Sequence, residues 1–198
     1  MKTSNSQRPL ILASSSPFRK SLLQRFQIEF DTDSPDIDET SMKDELPVDY
    51  VARLSLAKAK AVASRHADSL IIASDQCSVL DGVISGKPGS HENAVKQLQA
   101  SSNNKVSFLT GLCVYDSKTG QYDLDVVPFH VYFRQLELAE IERYLLIERP
   151  YECAGSFKAE GLGITLFKKL EGDDPTSLIG LPLIRVSEML RDFGLKLP

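Results

Sequence analysis

The chain has 198 residues, of which 42% are hydrophobic and 25% charged, and its formal net charge at pH 7 is -4. These values are typical of one globular domain and exclude a disordered or fibrous protein. Because the lysines and arginines are scattered, the basic stripe of a protein that binds duplex DNA or RNA is missing. No apolar stretch approaches the roughly 18 residues of a membrane span. A small anionic substrate needs only a local positive pocket.

The cysteines favour a reducing compartment. Cys77, Cys113 and Cys153 are odd in number, far apart and set beside apolar residues. This pattern suits buried thiols better than a disulfide framework or a zinc site. We therefore expect a cytoplasmic protein with one domain over residues 1–198, of which residues 1–8 form a flexible tail. Neither nucleic acid nor a membrane is expected as a partner, and the sequence leaves a homodimer open.

Helices and strands interleave along the chain without an internal repeat. Continuous apolar runs predict strands that are buried on both faces, and runs with helical spacing predict amphipathic helices. The fold class predicted from this order is α/β with a mixed sheet. The predicted elements are strands at 10–13, 27–33, 69–77, 105–116 and 121–134, a hairpin turn at Asp81-Gly82, and helices from Pro17, from Pro47 to about His66, at 90–101, at 137–147 and at 182–193.

The start of the first helix is a candidate anion site. Ser16 is a good N-cap, but Arg19 and Lys20 occupy the opening turn, where the helix dipole disfavours each cation by roughly 0.3–1 kcal/mol. A bound phosphate would remove this conflict, and the hydroxyls of Ser14, Ser15 and Ser16 could help to hold it. The alternative is a well-capped helix with solvated basic residues.

Two charged residues stand in otherwise apolar surroundings. Lys58 follows Leu54 by four residues, so it lies on the apolar stripe of its helix and must either snorkel to solvent or meet an anion. Asp75 comes directly after an apolar strand, where open α/β sheets collect ligand-binding groups. Asp75 is therefore the candidate catalytic carboxylate, and the alternative is an aspartate that caps a turn.

Three irregular segments are ambiguous on their own. The acidic segment 36–45 contains mostly solvated carboxylates, yet one of them could hold a divalent cation together with substrate phosphates. Gly86-Lys87-Pro88 and the glycine-containing stretch 155–161 could be simple loops. Loops of that composition also allow a ligand to approach the backbone closely.

Six blocks of the sequence occur in one order that points to a family. They are Leu-Ala-Ser-Ser-Ser-Pro-Phe-Arg at 12–19, Asp-Glu-Thr at 38–40, Arg-Leu-Ser-Leu-Ala-Lys at 53–58, Ser-Asp-Gln at 74–76, Gly-Lys-Pro at 86–88 and Ala-Gly-Ser-Phe-Lys-Ala-Glu-Gly at 154–161. In this order the chain resembles the Maf family of nucleotide pyrophosphatases over nearly its whole length. It is most similar to the YceF-type branch, whose members act on 7-methyl-GTP.

The resemblance implies an elongated α/β fold with a cleft between two lobes, similar to the inosine triphosphate pyrophosphatases. It also implies metal-dependent hydrolysis of a nucleoside triphosphate to the monophosphate and pyrophosphate, with Mg²⁺ or Mn²⁺ held by Glu39 and Asp75. By motif, Asp75 matches the proton acceptor, Glu39 the carboxylate of the acidic motif, Lys58 and Lys87 the phosphate-facing lysines, and Ser14 and Arg19 the phosphate-binding loop.

Three positions that separate the branches of the family match Phe18, Gln76 and Glu160. The branch that acts on dTTP and UTP has arginine, threonine and glutamine there. Stacking of a cationic 7-methylguanine on Phe18 would gain roughly 0.5–2 kcal/mol. Glu160 could accept hydrogen bonds from the guanine N1–H and amino group, worth roughly 1.5–3 kcal/mol. YceF-type members usually carry tryptophan at the first position, and Phe18 also fits the apolar face of its helix, so core packing is the alternative.

The expected substrate is thus 7-methyl-GTP. Two alternatives stay open from the sequence. One is a dTTP or UTP pyrophosphatase with the same mechanism, and the other is a non-catalytic nucleotide-binding regulator linked to cell division. The full set of candidate catalytic residues argues against the regulator.

Overall fold

Seven strands and five α-helices form within residues 8–197, the part of the chain that the computed structural model describes. The predicted α/β class with a mixed sheet is confirmed. The strands are β1 (Leu10–Leu12), β2 (Asp31–Thr32), β3 (Leu70–Leu80), β4 (Val83–Ser85), β5 (Lys105–Asp116), β6 (Tyr122–Phe133) and β7 (Phe167–Glu171). The helices are α1 (Pro17–Leu23), α2 (Pro47–Ala63), α3 (His91–Ser101), α4 (Leu138–Glu148) and α5 (Leu183–Asp192).

The strands form one sheet in the order β2-β1-β3-β5-β6-β7, with β4 also paired to β3. β1 runs parallel to β2 and β3, and every other pairing is antiparallel. The parallel part contains the short strands β1 and β2 near the start of the chain. The antiparallel part contains the long strands β5 and β6, which are joined by the turn at 117–121.

One edge of β3 is only partly covered, and this opens the sheet. β5 pairs with β3 from Leu70 to Val79 along one edge. On the other edge β1 pairs only as far as Ile72, and β4 pairs only from Ser78. Residues 73–77 therefore have no strand beside them on that edge.

Side chains alternate between the two faces of β3, as a period of two requires. Leu70 and Ile72 pack with α1 and α5, whereas Ile71 and Ala73 pack with α2. A third cluster, centred on Phe133, joins the far half of β5 and β6 to α3 and α4. The same alternation directs consecutive polar residues of β3 to opposite faces.

Most predicted boundaries agree with the structure, because local signals set them. Ser16 caps α1, where its hydroxyl accepts a hydrogen bond from the amide of Arg19 at 3.4 Å, and Pro17 is the first helical residue. Ser90 caps α3 in the same way. The Asp81-Gly82 turn joins β3 to β4, as predicted.

Three predictions about the elements were wrong. The strand predicted at 27–33 is reduced to Asp31–Thr32, because the apolar residues before it pack against the core cluster instead of pairing with β1. β7 was not predicted, since its sequence Phe-Lys-Lys-Leu-Glu lies on an exposed sheet edge and shows no clear apolar pattern. β3 continues past residue 77 to Leu80.

Of the predicted tail at 1–8, only Arg8 lies in the described part of the chain. Residues 1–7 lie outside the described residues, but Arg8 forms ion pairs with Asp116 and Asp68. The N-terminal end of β1 is therefore attached to the C-terminal end of β5. Among residues 8–197, no helix is both long and apolar enough to cross a membrane.

Candidate active site

A cavity of about 470 Å³ opens beside the uncovered edge of β3. Its volume falls within the range of roughly 300–1,000 Å³ that is usual for ligand sites. The cavity lies between the core cluster of β5 and β6 and the clusters around β1 and β3. Nine residues that the sequence singled out line it: Ser14, Phe18, Arg19, Glu39, Lys58, Asp75, Gln76, Lys87 and Glu160.

Lys58 lies between two carboxylates on one wall of the cavity. Its ammonium is 2.5 Å from Asp75 Oδ1 and 2.7 Å from Glu39 Oε1. The side chains of Lys58 and Asp75 are only 7% and 9% exposed, whereas that of Glu39 is 55% exposed. Of the two possibilities for Lys58, it therefore meets an anion and does not snorkel to solvent.

The position of Asp75 differs from the sequence prediction. It lies inside β3 and not after its end, because β3 pairs with β5 through residue 79. Its side chain still reaches the cavity because β1 ends beside it. The amide of Asp75 donates to Ser55 Oγ of α2 at 3.0 Å, and Ser55 Oγ donates to the Val51 carbonyl at 2.7 Å. These bonds fix β3 against α2 at the level of Lys58.

The acidic segment that carries Glu39 is irregular but attached to α2. Arg53 donates to both carboxylate oxygens of Glu45 at 2.5 and 2.7 Å, and to the Thr40 carbonyl at 3.2 Å. Tyr50 donates its hydroxyl to the carbonyl of Glu39 at 3.1 Å. Sequence reasoning missed Arg53, although it opens the block at 53–58, and it missed Tyr50.

The carboxylates on this wall also affect the pKa of Tyr50. It lines the cavity, and burial raises its pKa to about 12, with Asp75 and Glu39 adding to the rise. Its hydroxyl therefore stays protonated at neutral pH and acts as a donor.

Arg19 is held at the floor of the cavity by backbone and hydroxyl groups. Its Nε donates to the Gly180 carbonyl at 2.9 Å, and its Nη1 lies 3.5 Å from Ser14 Oγ. Burial lowers the pKa of Arg19, and the negative charges of Asp75 and Glu39 oppose this shift. Lys20, which was expected to share the anion site, is exposed and does not line the cavity.

The three positions expected to contact a base all line the cavity. Phe18 is half-buried and belongs to none of the core clusters, so the core-packing alternative is not supported. Glu160 is exposed at the mouth. Gln76 lies on the opposite face of β3 from Asp75, and its side-chain nitrogen donates to Thr110 Oγ1 at 2.9 Å and to the Ser177 carbonyl at 2.7 Å.

Two further basic residues reach the cavity from the loops. Lys87 is 65% exposed, and its ammonium lies 3.8 Å from a carboxylate oxygen of Glu152. Lys158, which sequence reasoning did not single out, donates to the Glu148 carbonyl at 2.8 Å. The lining therefore holds one basic residue, Lys158, and one acidic residue, Glu152, that the sequence reasoning did not single out.

The thiols do not contribute a nucleophile. Burial raises the pKa of Cys77 and Cys113 to about 12, so both are protonated at neutral pH. Cys153 lines the cavity, and burial raises its pKa as well. All three cysteines are free, in agreement with the sequence prediction.

Within residues 8–197 no group of three or more histidine, cysteine or acidic side chains is arranged around a metal position. Glu39 and Asp75 nevertheless face one point, which the ammonium of Lys58 occupies. Two converging carboxylates suit Mg²⁺, which usually takes one or two protein carboxylates and completes its shell with water and phosphate oxygens. The donor set therefore fits a divalent cation that binds together with a polyphosphate.

Comparison with known proteins gives consistent matches. The family described as Maf-like protein matches residues 9–193. The chain is 54% identical over 187 residues to the 7-methyl-GTP pyrophosphatase of Pseudoalteromonas translucida (strain TAC 125), covering 94% of this chain and 93% of that protein. It is also 54% identical to the 7-methyl-GTP pyrophosphatase of Pseudomonas syringae pv. tomato, covering 96% and 98%. Among solved structures, a HAM1 protein from Coxiella burnetii matches with a TM-score of 0.49 and 12% identity, covering 94% of this chain and all of that one.

Proposed function

We propose, since this chain belongs to the Maf family, that it hydrolyses 7-methyl-GTP to 7-methyl-GMP and pyrophosphate. The observation that carries the proposal is the 54% identity, over nearly the whole of both chains, to proteins named 7-methyl-GTP pyrophosphatase. The cavity adds a chemical reason, because a buried carboxylate and several cations meet beside bulky and acidic side chains.

Asp75 is the proposed proton acceptor. Its Oδ1 is bonded to Lys58, whereas Oδ2 has no hydrogen-bond partner within residues 8–197. The free oxygen can therefore orient a water molecule and take its proton as the water attacks the α-phosphorus. The bond from Lys58 holds the carboxylate of Asp75 in place.

Lys58, Lys87 and Arg19 are the proposed phosphate ligands. Phosphoryl transfer depends mainly on positioning and on neutralising charge at the phosphate oxygens. Arg19 has donors beyond the one used by Gly180, and Ser14 can donate its hydroxyl to a phosphate oxygen. Lys87 has a weak and exposed partner, so it can turn to the phosphates at little cost.

Glu39 and Asp75 would hold the divalent cation. When bound there with the substrate, Mg²⁺ or Mn²⁺ would neutralise phosphate charge and help pyrophosphate to leave. The exposed side chain of Glu39 allows the carboxylate to adjust as a substrate enters.

Phe18, Gln76 and Glu160 are the proposed base-binding residues. The ring of Phe18 suits a flat cationic base, and a carboxylate at position 160 suits a base edge that carries two donors. Both properties belong to 7-methylguanine.

Free thiols support a cytoplasmic location for the enzyme.

The test is pyrophosphate release by the purified protein with Mg²⁺ from a panel of triphosphates. We expect 7-methyl-GTP to be hydrolysed with a higher kcat/KM than GTP, dTTP or UTP. Asp75→Asn should lower kcat by about 10²–10⁴-fold, whereas Asp173→Asn, at an exposed position outside the cavity lining, should not. A preference for dTTP and UTP would replace the proposed substrate, and binding without turnover would overturn the enzymatic function.

A further inference from the structure

The side-chain amide of Gln76 is held by β5 and by the turn at 177–178, whose Leu178 carbonyl also lies 3.4 Å from Nε2. Its Nε2 donates to Thr110 Oγ1 at 2.9 Å and to the Ser177 carbonyl at 2.7 Å. Thr110 is fully buried and lies directly opposite Gln76 in the β3–β5 ladder. Neither Thr110 nor Ser177 lines the cavity, whereas Gln76 does.

The chemistry of these partners determines which way the amide points. A carbonyl oxygen can only accept, so the Ser177 oxygen must face the nitrogen of Gln76 and not its oxygen. Thr110 donates its own hydroxyl proton to the same carbonyl at 3.0 Å, which leaves Oγ1 as an acceptor for the second N–H of Gln76. A flipped amide would place two acceptor oxygens in contact.

The turn that supplies the carbonyl is itself well anchored. Ser177 Oγ donates to the Asp174 carbonyl at 2.6 Å, and Asp174 is buried, where its carboxylate accepts from the amides of Thr176 and Ile184. Ser177 therefore cannot easily move to follow a rotating amide.

With both N–H groups used, Gln76 has only Oε1 left. This oxygen has no hydrogen-bond partner within residues 8–197, and it is not buried, so a ligand in the cavity can reach it. We propose that Thr110, with the Ser177 carbonyl, is a positioning residue for specificity, which fixes Gln76 as a pure hydrogen-bond acceptor toward the base.

This inference rests on the proposed function and sharpens it. Guanine carries two adjacent donors, N1–H and the 2-amino group, and methylation at N7 makes N1–H a stronger donor by adding positive charge to the ring. Gln76 Oε1 and the Glu160 carboxylate offer two acceptors on the walls of one cavity, so the two donors are shared between them instead of both pairing with Glu160. A base with a single donor would leave one of the two unpaired, which a site built for hydrogen bonding penalises.

The experiment compares 7-methyl-GTP with 7-methyl-inosine triphosphate, which lacks only the 2-amino group. We expect the wild-type enzyme to prefer 7-methyl-GTP by about tenfold or more in kcat/KM. Thr110→Val keeps the shape of the side chain but removes the hydroxyl, so that only the Ser177 side of the amide is still held. Part of this preference should therefore be lost, through KM and with kcat changed less than about twofold. Thr110→Ser, which keeps the hydroxyl, should retain the preference.

A second measurement does not depend on turnover. In the free wild-type protein, the two side-chain amide protons of Gln76 should exchange slowly with solvent by NMR, and Thr110→Val should speed the exchange of the proton that Thr110 accepts. An unchanged preference in Thr110→Val, or fast exchange of these protons in the wild type, would overturn the positioning role. Absence of turnover with either triphosphate would instead count against the proposed function, while the exchange measurement would still decide the arrangement of Gln76.

Discussion

The ammonium of Lys58 forms ion pairs with both Glu39 and Asp75, and the Lys58 side chain is almost fully buried. Loss of this ammonium would leave two carboxylates facing one point without a counter-charge, which is unfavourable unless another cation binds. A divalent cation and Lys58 therefore compete for the same oxygens in the protein without nucleotide. We expect the phosphates of a substrate to relieve this competition, because they offer Lys58 other anionic partners.

Replacing Lys58 with methionine should reveal the competition. Lys58→Met keeps an unbranched side chain in the wall but removes the ammonium, so the affinity for Mn²⁺ without nucleotide should rise about tenfold, equivalent to about 1.4 kcal/mol. Turnover should fall, because a proposed phosphate ligand is lost. Titration calorimetry, or the electron paramagnetic resonance of free Mn²⁺, measures the affinity.

Lys87→Met is the matched control for this prediction. Lys87 lines the same cavity, but its ion-pair partner within residues 8–197 is Glu152, so its removal should leave the Mn²⁺ affinity unchanged. Equal Mn²⁺ affinity in wild type and Lys58→Met would mean that the ammonium does not occupy the cation position.

These residues differ in how far the sequence could predict them. The spacing of Lys58 from Leu54 placed it on the buried face of α2, but its partners could not be known, because Glu39 comes from an irregular segment. Asp75 was selected for a position at the end of a strand, although β3 continues past it. The selection still leads to the cavity because the neighbouring strand, and not β3 itself, ends there.

Among the helices and strands, the contact between α2 and β5 controls the distance between Lys58 and Asp75. Gly111 of β5 lies opposite Asp75, and a Cβ atom at this position would overlap the Val51 carbonyl and Ser55 Oγ of α2. The helix can approach the sheet this closely only because position 111 has no side chain. Ser55, in turn, accepts from the amide of Asp75.

Gly111→Ala should therefore move α2 away from the sheet. We expect a loss of about 1–3 kcal/mol in the free energy of unfolding and a fall in kcat, because Lys58 and Asp75 separate. Urea unfolding and pyrophosphate release measure the two effects. Gly86→Ala is the stability control, since a Cβ at position 86 would meet no atom within 4 Å. If Gly111→Ala left the free energy of unfolding unchanged, α2 would be able to move away from the sheet without loss of stability, contrary to this prediction.

The attachment of the acidic segment to α2 predicts a pH dependence. The Arg53 guanidinium lowers the pKa of Glu45 from 4.5 to about 2. A depressed carboxyl pKa contributes stability above the unfolded pKa, and this contribution is lost as the pH falls through the folded pKa. Glu45→Gln should therefore be less stable than the wild type at about pH 6, with the difference shrinking from about pH 4.5 and vanishing below about pH 2.

Unfolding by urea at several pH values tests this window. Glu29→Gln is a suitable control, since Glu29 is exposed and forms no ion pair within residues 8–197. A difference between wild type and Glu45→Gln that is constant across the window would mean that the ion pair does not link the segment to α2.

The elements that the sequence predicted correctly are those with strong local signals. N-cap serines, the Asp81-Gly82 turn and long periodic runs predicted the helices and the antiparallel strands. β2 and β7 failed because their pairing comes from distant strands: β2 follows β1 for two residues, and β7 joins the exposed edge of β6. Such edge strands carry little of the pattern that burial imposes.

In the whole molecule, the cavity exists because the strand that pairs with one edge of β3 changes along its length. Residues 73–77 lie between the end of β1 and the start of β4, so their edge faces a space and not another strand. Alternation along β3 then places Asp75 toward α2 and Gln76 toward the turn at 177–180. The proposed phosphate site and the proposed base site can thus lie on opposite faces of one strand.

The interleaving of helices and strands predicted the α/β class, and the family resemblance predicted a cleft, but neither could predict where the sheet opens. Which edge of β3 is free depends on where two short strands stop, and their lengths are set by packing in three dimensions. Local patterns and the family resemblance together predicted many of the residues that line the cavity. Thr110, Tyr50 and Arg53 were identified only from their contacts in the structure.

Ligand binding should stabilise the whole fold, because the cavity draws on residues from 13 to 180 that belong to different core clusters. A non-hydrolysable 7-methyl-GTP analogue with Mg²⁺, at about 100 times its Kd, should add about 2.7 kcal/mol to the free energy of unfolding. Each kcal/mol corresponds to a rise in Tm of about 2–4 °C for a protein of this size. 7-Methylguanosine and inorganic tripolyphosphate at the same concentration should each raise Tm less, because each fills only one face of the site. If tripolyphosphate alone gave the full rise, the base-binding face would contribute nothing to affinity.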